Sequence, residues 1–93
     1  MIFEWDYNKA KENEAKHGIS FEIAEHVFSS NMIAKEDTRQ DYQEKRYTAF
    51  SLYFGRCINI IYTLRGDKIR IISMRKANEH ETKRYQEAVK NTW

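Results

Sequence analysis

Ninety-three residues suffice for one domain, residues 1–93, with one modest core, because two half-sized units would each bury too little apolar surface. A hydrophobic fraction of 41% that includes six Tyr, five Phe and two Trp argues against disorder. No apolar run approaches the roughly 20 residues that cross a bilayer, and the first residues lack a basic-then-apolar leader, so the expectation is a cytoplasmic protein with no membrane partner.

The first strand is read from "IFEW". Asp6 is placed to cap a helix running to about Lys16, where Gly18 supplies a left-handed end, and Ser20 is placed to cap a second helix whose Phe21, Ile23, Ala24, Val27 and Phe28 recur at helical spacing. Residues 32–35 read as a short strand followed by a polar loop. Residues 45–54, 57–65 and 68–76 read as three strands joined by tight turns at Gly55-Arg56 and Gly66-Asp67. Asn78 with Glu81 three residues later forms a capping box for a closing helix whose apolar face holds Tyr85, Ala88 and Val89. The predicted fold is therefore α+β: an antiparallel meander sheet with two N-terminal helices and one C-terminal helix.

The charge is unevenly placed along this plan. Residues 1–44 hold five Lys/Arg against ten Asp/Glu, and residues 45–93 hold eleven against four. A basic half of this kind suits a phosphate backbone, although a solvated strand face has the same composition. With two-residue loops at both turns, Arg65 opposes Lys68, Thr63 opposes Arg70, Tyr47 opposes Leu64 and Arg46 opposes Arg65. One face then carries Tyr47, Ala49, Ile58, Ile60, Tyr62, Leu64, Ile69 and Ile71, the side that helices cover. The other gathers Arg46, Arg65, Lys68 and Arg70 beside Phe50, Leu52 and Ile61. Like charges set opposite one another destabilise a sheet by roughly 0.2–1 kcal/mol, a sign that a bound phosphodiester reverses; the alternative is a wet edge where long side chains splay into water. By the same parity Arg75 shares the face of Ile69 and Ile71, close to the strand end, where its head emerges beside the helix carrying His80, Arg84 and Tyr85. In the first helix Lys9, Asn13 and His17 fall on one line with Lys16 adjacent, a pattern that fits a solvated face as well as a site. Cys57 lies inside a strand pattern and reads as a buried structural thiol. Three scattered His give no metal-ligand spacing, so neither metal nor cofactor is expected.

Phe3-Trp5-Asp6, Lys9, Asn13, Lys16-His17-Gly18, Phe21, Val27-Phe28, Glu44-Arg46, Arg65-Gly66-Asp67, residues 70–75, and Glu81 with Tyr85 together resemble the BrnT family of type II toxin–antitoxin ribonucleases over essentially the whole chain. Met74 stands where that pattern usually has Ala, a change expected to affect packing. The resemblance implies a RelE-like fold, an RNA substrate, and an antitoxin of the BrnA type carrying a ribbon-helix-helix domain, through which alone the pair reaches operator DNA. Metal-free RNA cleavage needs a group to take the 2′-OH proton and cations to stabilise the phosphorane. On this basis Arg46, Arg65 and Arg75 hold the phosphate, and His17 or a lysine (Lys9, Lys16) transfers the proton. Tyr85 stacks on a base or positions the nucleophile, and Lys9, Lys16, Lys68, Arg70 and Lys76 bind the substrate. The rival is a non-catalytic basic module that binds nucleic acid or protein, such as an inactivated toxin. A helix-turn-helix regulator is disfavoured, since no helix offers a polar recognition face after a tight turn.

Overall fold

The elements run β1 (Ile2–Trp5), α1 (Tyr7–His17), a 3₁₀ turn (Phe21–Ile23), α2 (Ala24–Phe28), β2 (Ile33–Glu36), β3 (Arg46–Tyr53), β4 (Arg56–Arg65), β5 (Lys68–Lys76) and α3 (Glu79–Thr92) in the computed structural model, which describes residues 1–92. Trp93, which the sequence left as either docked or frayed, lies outside the described residues. The expected caps form. The Asp6 carboxylate accepts the Lys9 N–H at 2.9 Å, and Gly18 closes α1 at φ 71° with its N–H on the Glu14 carbonyl at 2.8 Å. Asn78 and Glu81 satisfy each other's backbone N–H at 2.8 and 2.9 Å, which fixes the start of α3.

The second N-terminal helix is not continuous. Ser20 caps a 3₁₀ turn, accepting the Glu22 N–H at 3.1 Å, and only Ala24–Phe28 is α-helical. Phe21, Ala24 and Val27 are spaced by three, so a three-residue turn keeps them on one line and all three are buried.

The sheet order is β1-β5-β4-β3-β2. β2 to β5 are antiparallel neighbours as expected, but β1 lies parallel to β5 with Phe3 beside Ile69 and Trp5 beside Ile71, so the sheet is mixed. The side chains of β1 explain the docking: Phe3 packs edge-on against Phe28, and Trp5 edge-on against Phe21.

Two register details differ from expectation. The β3–β4 turn is Phe54-Gly55, with φ of 47° and 79°, the pair of positive angles that a twist-matched type I′ turn requires. Pairing therefore shifts by two residues: Tyr47 faces Tyr62 and Arg46 faces Thr63, not Arg65. A shift of two preserves the side-chain parity, so the faces of β3 and β4 stand. Second, β5 is bulged, since Ile61 pairs with Ser73 while Tyr62 pairs with Ile71. The surplus residue, Ile72, inverts the phase of the strand beyond it. Met74 thereby enters the core, fully buried opposite Ile60, and Arg75 moves off the face of Ile69 and Ile71 to lie opposite Asn59.

Helices cover both faces rather than one. Phe21, Ala24 and Val27 close over Ala49, Ile58, Ile60, Tyr62 and Ile71, while α3 lays Tyr85 and Val89 on Cys57, Phe50, Leu52 and Ala77. Leu64, assigned to the covered face, is 54% exposed because the helices do not reach that end of β4. Cys57 is free and buried as predicted, and burial pushes its thiol pKa up.

Beyond Ile71 β5 has outrun β1, and its backbone edge is completed by a side chain. The buried Asn13 amide donates to the Met74 carbonyl at 2.8 Å and accepts the Met74 N–H at 3.2 Å, acting as one more rung of the ladder, and it donates to the Ile19 carbonyl at 3.3 Å. Each buried polar group left without a partner costs about 1–3 kcal/mol. Asn13→Ala is therefore expected to destabilise the fold by about 3 kcal/mol, measured by urea unfolding; a loss of only a few tenths would mean that water replaces the amide.

Candidate functional site

Four cations meet at one end of the sheet face that α3 leaves open. Arg46 on β3 and Arg70 on β5 both pair with Thr63 of the strand between them, and Arg65 pairs with Lys68 two residues further along. With neighbouring strands about 4.8 Å apart, the four side chains share one rim. Thr63 itself is buried and donates to the Lys45 carbonyl at 2.6 Å.

Two carboxylates stand among them. Glu44 lies 3.4 Å from Arg65 Nη2 and 3.7 Å from Arg46 Nε, and Glu4 on β1 lies 3.2 Å from Arg70 Nη1 and 3.9 Å from Lys68 Nζ. The like charges are thus interleaved with acids, and the rim keeps an excess of two positive charges. The Arg46 guanidinium stacks on the Tyr42 ring at 4.2 Å, and its buried Nε has no hydrogen-bond acceptor.

The loop that delivers Glu44 is built around Asp37. This carboxylate is buried and takes both Arg39 Nε and Nη2 at 2.8 Å, with the Tyr42 hydroxyl at 3.2 Å. The Arg39 hydrogen bonds outweigh the cost of burial and hold its pKa down at about 2. Next to Glu44, Gln43 adopts φ 62° with its N–H on Asp41 Oδ1 at 2.9 Å. A left-handed non-glycine residue costs roughly 1–2 kcal/mol, so the turn before Glu44 is a strained one.

Arg75 shares the sheet face with this rim but not the rim. Five residues of β5 separate it from Arg70, roughly 16 Å at about 3.3 Å per residue, too far for one phosphate to reach both. Both Arg75 terminal nitrogens bind Glu81 at 2.8 Å, which raises the guanidinium pKa and pulls that of Glu81 down to about 2. The pair lines a cleft of about 520 Å³ between α3 and the sheet, together with Lys35, Arg39 and Arg84. Tyr85 borders the same cleft with its ring buried and its hydroxyl donating to the Asn31 carbonyl. Lys76 is exposed at the end of β5, opposite Ile58.

The polar line on α1 is divided. Asn13 is structural, Lys9 and Lys16 are exposed, and His17 is half-buried at the helix end. Asn13 fixes the middle of α1 at Met74, four residues along β5 from Arg70. Among the described residues no three His, Cys, Asp or Glu side chains are grouped as metal ligands. Sequence reading gave no role in the site to Glu4, or to Glu44, which entered only as part of the Glu44-Arg46 pattern. Glu44 is two positions before Arg46, the strand spacing that puts two side chains on one face, whereas Glu4 becomes a neighbour only through the parallel docking of β1.

A small α+β domain with arginines from three adjacent strands at one open sheet end is built to meet a polyanion. The family model of a ribonuclease toxin, BrnT, of the type II toxin–antitoxin system matches residues 5–81, and the chain belongs to that family. A comparison with curated proteins found no match. Membership makes it a ribonuclease toxin with an antitoxin as partner, and no helix among the described residues is long and apolar enough to cross a membrane.

The Arg75–Glu81 and Arg39–Asp37 pairs set an acid limit. Both carboxyls sit at about 2 in the folded chain against ordinary values of 4.5 and 3.8, so their contribution is complete above those values and is lost as the pH falls toward 2. Protection factors for hydrogen exchange at the start of α3 are expected to fall between about pH 4.5 and pH 2, and Glu81→Gln is expected to flatten that dependence.

Proposed function

We propose that this toxin is a metal-independent endoribonuclease that cleaves RNA by attack of the 2′-hydroxyl, with the scissile phosphate held at the rim by Arg46 and Arg65. The observation that carries the proposal is the convergence of Arg46, Arg65, Lys68 and Arg70 from three adjacent strands on one open face with only two carboxylates between them. Guanidinium groups bind the in-line phosphorane through parallel N–H donors and stabilise the charge that develops there. Lys68 and Arg70 hold the next stretch of backbone. Arg75 and Lys76 are assigned to flanking nucleotides, as are Lys9, Lys16 and His17 on α1, whereas Tyr85, with its ring buried and its hydroxyl on the Asn31 carbonyl, supports the cleft instead of touching RNA.

The partner we infer is a BrnA-like antitoxin with a ribbon-helix-helix domain, which covers the rim with an acidic segment and carries the complex to its own operator in cytoplasmic autorepression. The RelE-like assignment of the fold belongs with this proposal and is supported by the α+β plan. A second reading is favoured by one feature: Arg75 is locked to Glu81, and every rim cation has a carboxylate neighbour, an arrangement that also suits a binding module without chemistry.

Incubation of the purified chain with RNA in EDTA separates the two. Fragments ending in cyclic 2′,3′-phosphate are expected, with Arg65→Ala and Arg46→Ala each slowing cleavage by about 10²–10³-fold. Intact RNA at high protein excess, with binding retained, would establish the binding module instead.

A further inference from the structure

We propose that Glu44 is the general base of the cleavage reaction, taking the 2′-hydroxyl proton of the nucleotide whose 3′-phosphate lies between Arg46 and Arg65. This rests on the ribonuclease reading above and supplies a proton acceptor at the rim itself.

The ion pairs of this chain are of two kinds. Arg75–Glu81 and Arg39–Asp37 are closed at 2.8 Å, with two donors on each carboxylate. Glu44 stands 3.4 and 3.7 Å from its two arginines, beyond the roughly 2.7–2.9 Å of a charge-assisted hydrogen bond. The hydrogen bond that it accepts from Arg65 Nη2 is a long one at 3.4 Å, so the carboxylate is held beside the cations by weaker contacts than those of the closed pairs. Arg46 Nε lies 3.7 Å from Glu44 Oε2 and, among the described residues, has no acceptor within hydrogen-bond distance, so the guanidinium is held at the same place without a closed bond to the carboxylate. Glu4 is also loosely paired, but it is an ordinary cross-strand neighbour of Arg70 on a regular strand. Glu44 instead follows the strained Gln43 and borders a concavity of about 580 Å³ that Tyr42 and Lys45 also line. Its acidic walls repel a phosphate and suit a ribose and base, which sets the 2′-hydroxyl on the carboxylate side of the arginines.

The step balances without a further reactant. The Glu44 carboxylate takes the 2′-hydroxyl proton as the 2′-oxygen bonds to phosphorus. The bond from phosphorus to the 5′-oxygen breaks, and the leaving oxygen takes a proton from solvent water. Protonated Glu44 then returns its proton to the hydroxide so formed, leaving a cyclic 2′,3′-phosphate and a free 5′-hydroxyl.

The test compares Glu44→Gln and Glu44→Asp with the unaltered chain, measuring kcat and KM on one RNA in EDTA alongside thermal melting. Gln at position 44 is expected to lower kcat by about 10²–10⁴-fold while KM stays level or falls, because the arginines lose their internal competitor. Asp, which keeps the acid on a shorter arm, is expected to retain part of the rate. The assignment is overturned if the Gln variant cleaves as fast as the unaltered chain, or if cleavage and RNA binding fall together. Should Gln lower the melting temperature, the Asp variant decides: a kcat well above that of Gln at normal KM supports the base, and a kcat no higher than that of Gln sinks it. No cleavage by the unaltered chain would instead refute the ribonuclease reading itself.

Discussion

One surplus residue in β5 governs how this chain distributes its chemistry. Without the bulge at Ile72, strict alternation would turn Arg75 toward the helices that cover Ile69 and Ile71, and would push Met74 out of the core. With it, Met74 fills the space opposite Ile60 and Arg75 joins the face that carries Arg46, Arg65 and Arg70. Asn13 then secures the irregular stretch from the side, binding both polar groups of the Met74 backbone where β1 can no longer do so. Packing, edge protection and the cationic face all depend on that local break in periodicity.

Most of the framework was legible because it is written in local chemistry. Asp6 and Gly18 bound the first helix, the Asn78–Glu81 box starts the last, and alternation marks three long strands. What escaped was long-range. A four-residue strand rich in aromatics does not announce its partner, so the parallel docking of β1 and the arrival of Glu4 beside Arg70 were not foreseeable. The turn at Phe54-Gly55 defied expectation because a bulky residue at positive φ is a costly choice, and placing glycine first looked the cheaper solution. The mark of the bulge in "RIISMRK" is the doubled Ile71-Ile72, after which polar and apolar residues alternate in the opposite phase, and strict parity carried through that break misplaced Arg75.

For the site, sequence was a good guide to the cations and a poor one to their company. Arg46, Arg65, Lys68 and Arg70 do gather at one end of the sheet, although the two-residue register shift removes the direct opposition of Arg46 and Arg65. Arg75 belongs to a separate cleft with Arg84 and Glu81. The charge asymmetry along the chain also proves only partly external. Asp37, from the acidic half, is buried and spent on Arg39 and Tyr42, where it shapes a loop instead of presenting a negative surface.

The parallel edge strand has a consequence for the order of assembly. Glu4 and Arg70 are 66 positions apart, and among the described residues β1 pairs with residues 68–71 alone. Until the two segments meet, the rim lacks one of its two acids. Closing the rim therefore depends on a contact between distant parts of the sequence, so the cationic site and the sheet edge are completed in a single step.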